Sequence, residues 1–131
     1  MSVPFKDYSH QNMFRMMRSQ LPDTVRKNKD VSIVAFIMSG NEAMRKLINP
    51  YLNWEDGTLL YEKMIEDAPE GDKESLKVVA ELYSDREYVS LNSLVQVKDS
   101  DLFDLFLSTI RLKRYGFEND YVQADNTMNF K

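Results

Sequence analysis

Hydrophobic positions along most of the chain recur at three- and four-residue spacing, the period of helices that bury one face. After Asp7-Tyr8-Ser9, where Asp7 or Ser9 can cap a helix, His10, Phe14, Met17 and Leu21 share a face, and Pro22-Asp23 stops the pattern. A basic loop with Arg26, Lys27 and Lys29 follows. Residues 30–40 are apolar on nearly every side and rich in β-branched side chains, so periodicity allows a buried strand or a buried helix. Asp30 as N-cap and Gly40 as C′ residue favour a central core helix. Asn41 opens the next helix, with Met44, Leu47, Ile48, Tyr51 and Leu52 in register and Pro50 kinking or splitting it.

Glu55-Asp56-Gly57-Thr58 reads as a turn. Leu60, Tyr61, Met64 and Ile65 predict a short amphipathic helix closed by Pro69-Glu70-Gly71, and Leu76, Val79, Ala80 and Tyr83 predict another that begins at Asp72. Ser90 caps a short turn that carries Leu91, Leu94 and Val95. The last helix has Asp99, Ser100, Asp101 and Asp104 at its start and Arg111, Lys113 and Arg114 at its end, charges that complement the helix dipole. Phe103, Phe106, Leu107 and Ile110 are its expected apolar face, and Gly116 ends it. The fold expected is all-α: a compact single-domain bundle of about six short helices over residues 1–116, with a polar, flexible C-terminal tail over 117–131. No internal repeat or low-complexity tract interrupts it.

Composition fits a folded domain: 131 residues, 43% of them apolar and 29% charged, with a formal net charge of −4. No apolar run approaches the roughly 18 residues of a membrane span, and Met1 to Lys6 carries no apolar stretch of a secretory signal. A soluble protein of the cytoplasm is expected. Charge is unevenly placed. Residues 1–30 hold six Lys/Arg against three Asp, whereas residues 55–87 hold eleven Asp/Glu against four Lys/Arg, a balance of −7. The acidic candidates for partner binding are Glu55, Asp56, Glu62, Glu66, Asp67, Glu70, Asp72 and Glu74, because complementary potentials steer association. Arg15, Arg18, Arg26, Lys27 and Lys29 are the alternative, a nucleic-acid surface of a DNA-associated or regulatory protein. A pI near 5.0 argues against direct nucleic-acid binding.

Catalytic chemistry is sparse. Cysteine is absent and His10 is the single imidazole, which leaves too few preferred ligands for zinc. Gly40, Gly57, Gly71 and Gly116 are isolated and form no phosphate cradle. Asp99-Ser100-Asp101 begins like a calcium loop, but Phe103 and Asp104 stand where that loop needs Asp or Asn and then Gly. Glu62 and Glu66, one helical turn apart, read better as solvated neighbours than as metal ligands. The expectation is a protein that is not an enzyme and uses no cofactor or metal. Eight methionines, three of them within residues 13–17, suit an irregular core or an adaptable contact surface, including one for a second copy of the chain.

Several short stretches bear a likeness to known proteins: Phe5-Lys6-Asp7 with His10 and Phe14; Phe36-Ile37-Met38-Ser39-Gly40 with Arg45 and Ile48; Ala80-Glu81-Leu82-Tyr83; and Asp104, Ile110-Arg111-Leu112 and Arg114-Tyr115. Across residues 4–115 the chain resembles a family of small proteins, without assigned activity, from phages and mobile elements of Gram-positive bacteria. The resemblance implies a context in which small accessory proteins bind host proteins, and it carries over no catalytic residue. With the acidic block, it leads to the expectation of a host-protein binder. The target expected is a defence factor with a basic nucleic-acid-binding surface, such as a CRISPR nuclease. A homodimer is the other association considered.

Overall fold

The computed structural model describes residues 3–117. Eight α-helices occur among them: α1 Tyr8–Ser19, α2 Asp23–Arg26, α3 Lys29–Gly40, α4 Glu42–Ile48, α5 Tyr61–Asp67, α6 Lys73–Ser84, α7 Leu91–Val95 and α8 Ser100–Tyr115. Single 3-10 turns, Asn49–Tyr51 and Glu70–Asp72, precede α5 and α6. The only β pairing among the described residues is an isolated antiparallel bridge between Leu52 and Leu59. The fold is all-α, with more helices than the expected six because the basic loop contains α2 and the turn after Ser90 closes into α7. No helix is long and apolar enough to cross a membrane among the described residues.

The ambiguous segment is a helix, α3, and every residue from Val31 to Gly40 is buried. It packs against α1, α4, α6 and α8, which explains why it has no polar face. Its cap corrects the sequence reading. Asn28, not Asp30, accepts hydrogen bonds from the Asp30 and Val31 amides (2.8 and 3.2 Å), so the helix starts earlier and Asp30 lies in its first turn. Gly40 is the last helical residue rather than C′. Asn41 follows in extended conformation and accepts from the Met44 amide (2.8 Å), so one residue both ends α3 and caps α4. Pro50 splits the next segment, as one of the two sequence alternatives has it.

Other caps fall where their spacing puts them. Asp7, rather than Ser9, caps α1 through the His10 amide (2.8 Å). Ser90 caps α7 through the Ser93 amide (3.0 Å), and Asp99 caps α8 through the Asp101 and Leu102 amides (3.0 and 3.2 Å).

Two differences bear on function. The buried side of α8 is Leu102, Leu105, Phe106, Thr109 and Leu112; of the expected face only Phe106 is fully inside, while Phe103 is half-buried and Leu107 and Ile110 are 40% and 39% exposed. Phe117, assigned to the tail from sequence, is buried, and its ring stacks on Phe14 with centroids 5.8 Å apart. Residues 118–131 of the expected tail lie outside the described residues.

Candidate functional site: an acidic surface beside a groove

The acidic candidates sit on consecutive elements that touch one another. Glu55 and Asp56 are in the turn after Asn49–Tyr51, Glu62, Glu66 and Asp67 on α5, Glu70 and Asp72 on the following 3-10 turn, and Glu74 in the first turn of α6. The 3-10 turn Asn49–Tyr51 packs on α5, α5 on α6, and α6 on Glu70–Asp72. Seven of the eight carboxylates are exposed and Asp72 is half-buried. Three are engaged locally. Asp67 pairs with Lys63 (3.7 Å) and accepts from the Tyr51 hydroxyl (2.9 Å), a bond that raises the phenol pKa above its ordinary value. Glu74 pairs with Lys77 (3.6 Å), and Asp56 accepts from the Thr58 amide (2.8 Å). Among the described residues, Glu55, Glu62, Glu66, Glu70 and Asp72 make no ion pair.

Two further carboxylates of the −7 block are engaged within the fold. Glu81 accepts hydrogen bonds from the Tyr88 and Val89 amides (2.8 and 2.9 Å) and ties down the segment between α6 and α7. Asp85 ion-pairs with Lys113, whose ammonium also donates to the Leu82 carbonyl (2.6 Å). Glu81 is half-buried and serves the fold, whereas Asp85 remains exposed beside Lys113.

A groove of about 410 Å³, which sequence reasoning missed, opens where α4, α6 and α8 begin and α7 ends. Asp72, Glu74 and Asp99 lie along it with the apolar Met44, Val97 and Leu102, and Lys98 is its one basic residue. Its only trace in the sequence is that Asn41, Asp72 and Asp99 each stand at a helix start. Nothing in their spacing says that the three starts converge. An apolar floor with carboxylates beside it suits a Lys or Arg side chain, whose aliphatic stem packs while its charged end meets the acids. A second groove, about 430 Å³, is lined by Met13, Met17, Met38, Trp54, Arg45 and Lys46; of its methionines Met17 and Met38 are buried core and only Met13 is half-buried.

The basic alternative is only partly on the surface. Arg18 is buried at 3% exposure and donates to the Arg26 carbonyl (3.2 Å), which corrects its assignment as a phosphate-contacting residue. Arg26 donates back to the Arg18 and Leu21 carbonyls (3.2 and 3.1 Å) and pairs with Asp23 (3.3 Å), closing the end of α1 onto α2. Arg15 is half-buried, and Lys27 and Lys29 are exposed. The sequence signal for Arg18 was its position four residues after Phe14, on the buried stripe of α1.

His10 is buried and bonded on both ring nitrogens. Nδ1 accepts from the Lys6 amide (3.0 Å) and Nε2 donates to the Phe36 carbonyl (2.8 Å), the pattern of a neutral imidazole protonated at Nε2. Burial lowers its pKa below the ordinary 6.5 and Lys6 adds to this, against the Phe36 carbonyl bond and Asp7. The unfolded chain therefore takes up a proton first as pH falls. The stabilisation from His10 is complete above 6.5 and is lost as pH drops from there through the lower folded value. Urea unfolding between about pH 7.5 and about pH 5 should show stability falling in the wild type, and His10→Gln should flatten that slope. Equal slopes in the two proteins would contradict the assignment.

No group of three or more His, Cys, Asp or Glu side chains among the described residues could hold a metal ion. Comparison with family models, with curated proteins and with solved structures found no match for the chain.

Proposed function

We propose that the protein is a non-enzymatic interaction protein whose acidic surface, from Glu55 to Glu74, occupies a basic nucleic-acid-binding surface of a partner protein. One observation carries the reading: five carboxylates without ion-pair partners lie on packed, consecutive elements that lead into a groove with an apolar floor. Such an array offers a basic groove the charge sign of a phosphate backbone together with apolar contact that nucleic acid lacks. The resemblance to phage and mobile-element proteins would make the partner a host defence factor such as a CRISPR nuclease. The burial of Arg18 and the tying of Arg26 into the α1–α2 junction weigh against the DNA-associated alternative.

The test reverses charge without touching the core. Changing Glu66, Asp67, Glu70 and Asp72 to Lys moves the formal net charge from −4 to +4, two units per residue. Immobilised wild-type chain should retain a bacterial nucleic-acid-binding protein, such as a CRISPR nuclease, that a short DNA duplex releases by competition and that salt weakens. The quadruple variant, with a circular-dichroism spectrum like that of the wild type, should retain none. Undiminished retention by that variant would overturn the acidic-surface reading.

A further inference from the structure

α8 is apolar on two sides. Its core side is accounted for by Leu102, Leu105, Phe106, Thr109 and Leu112. On the outward side Phe103, Leu107 and Ile110 recur at the i, i+4, i+7 spacing of a packing stripe, and Arg114 continues it at i+11. Leu107 and Ile110 are 40% and 39% exposed. With 3.6 residues per turn, Leu107 lies near the middle of the outward face, between Phe103 and Ile110 on one flank and Asp104 and Arg111 on the other. The N-terminal half of this face carries an acid, Asp104, and its C-terminal half is basic (Arg111, Arg114). Helix-dipole compensation accounts for that order of charges, and core packing for the half-buried Phe103, but neither accounts for Leu107 and Ile110.

We infer that this face pairs with the same face of a second copy of the chain, the two α8 helices running antiparallel about a two-fold axis near Leu107. The helix is then its own electrostatic complement. Antiparallel alignment sets Asp104 beside the partner's Arg111, and the symmetry makes that pairing twice. Phe103 comes beside the partner's Ile110, and the two Leu107 side chains meet at the axis. A parallel pairing would set the flank of Asp104 and Arg111 against the partner's Phe103 and the partner's Ile110 and lose the opposite-charge contact, so the charge order selects the antiparallel one. The pairing also explains why the hydrophobic pattern of α8 reads as a core face although the fold leaves Leu107 and Ile110 exposed. This pairing does not rest on the acidic-surface reading, which involves α5 and the start of α6.

One helix pair buries less than the roughly 1,200 Å² of a standard interface, so the dimer forms in the micromolar range or above. Sedimentation velocity of the full chain from about 10 μM to about 1 mM should show a monomer–dimer equilibrium that weakens with salt. Leu107→Asp should remove the dimer. Asp104→Arg alone sets like charges opposite each other twice, as does Arg111→Asp alone, and each should raise the dissociation constant about tenfold or more. Mixing those two single variants should restore dimer, because in the mixed pair both contacts join opposite charges again. Melting temperature reports whether each variant is folded; should Leu107→Asp fail to fold, the charge-swap arm decides alone. A wild type that stays monomeric throughout, a dimer that the charge variants leave undiminished, or a mixture that restores nothing would each overturn the pairing.

Discussion

Phe36→Ala is expected to lower the unfolding free energy by about 3–5 kcal/mol, the largest effect of any single truncation in the chain. Phe36 is fully buried in the middle of α3. Its ring lies 4.6 Å from that of His10, 5.7 Å from that of Phe5 and 6.2 Å from that of Phe14, centroid to centroid. Removing it deletes the hub of that cluster and leaves a cavity enclosed by α1 and α3, elements too regular to collapse into it. The Phe36 carbonyl still accepts from His10 after the substitution, so the loss reports packing and not that hydrogen bond. A domain of this kind is stable by about 5–15 kcal/mol, and the change removes a large share of it. Urea unfolding should move to a much lower midpoint. Phe103→Ala, at a half-buried position, should cost clearly less, and equal costs for the two would contradict the placement of the core on α3.

What was legible in the sequence, and what was not, follows from the kind of interaction each residue makes. Asn41, Ser90 and Asp99 are readable as caps because a short polar side chain stands next to the helical pattern whose amides it bonds. Asn28 was less visible because Lys29 and Asp30 separate it from the apolar run, which draws the expected start toward Asp30. The outcome for α8 has another origin. Its outer stripe of Phe103, Leu107 and Ile110 has helical spacing as good as its inner one, and only the packing of α3 and α6 against the helix decides which faces the core. At the candidate site, the acidic composition was visible at once. The engagement of Glu81 and Asp85 within the fold was not, because it depends on the amides of residues 88 and 89 and on Lys113 reaching Asp85. Arg18 shows the same limit with opposite charge: its guanidinium is counted as surface until the α1–α2 junction encloses it.

The second large effect is expected at Gly57, where two independent costs add. Its φ of +78° lies in the left-handed region, which an L side chain occupies at about 1–2 kcal/mol. A Cβ at this position would also stand 2.8 Å from Val25 Cγ1 and 2.8 Å from Val31 Cγ2. Val31 is buried at the start of α3, so neither valine is a flexible chain end that can swing aside, and crowding of this sort adds about 1–3 kcal/mol. The turn cannot shift as a unit to relieve the contact. The Gly57 amide donates to the Asn53 carbonyl (2.8 Å), its own carbonyl accepts from the Tyr83 hydroxyl (3.3 Å), and that hydroxyl also receives the Leu59 amide (3.1 Å). Gly57→Ala should therefore lower the unfolding free energy by about 2–5 kcal/mol, the sum of the two costs. Gly116 supplies the control, since its φ is +82° but nothing lies within 4 Å of the added Cβ. Gly116→Ala should show a conformational cost alone, about 1–3 kcal/mol, because φ +82° with ψ 175° is backbone that essentially only glycine adopts. A cost at Gly57 above that at Gly116 in urea unfolding reports the contact of the acidic turn with α2 and α3. A difference near zero would mean that the turn carrying Glu55 and Asp56 is not held against those helices. In that case the first two carboxylates of the acidic surface would be free to move independently of the other six.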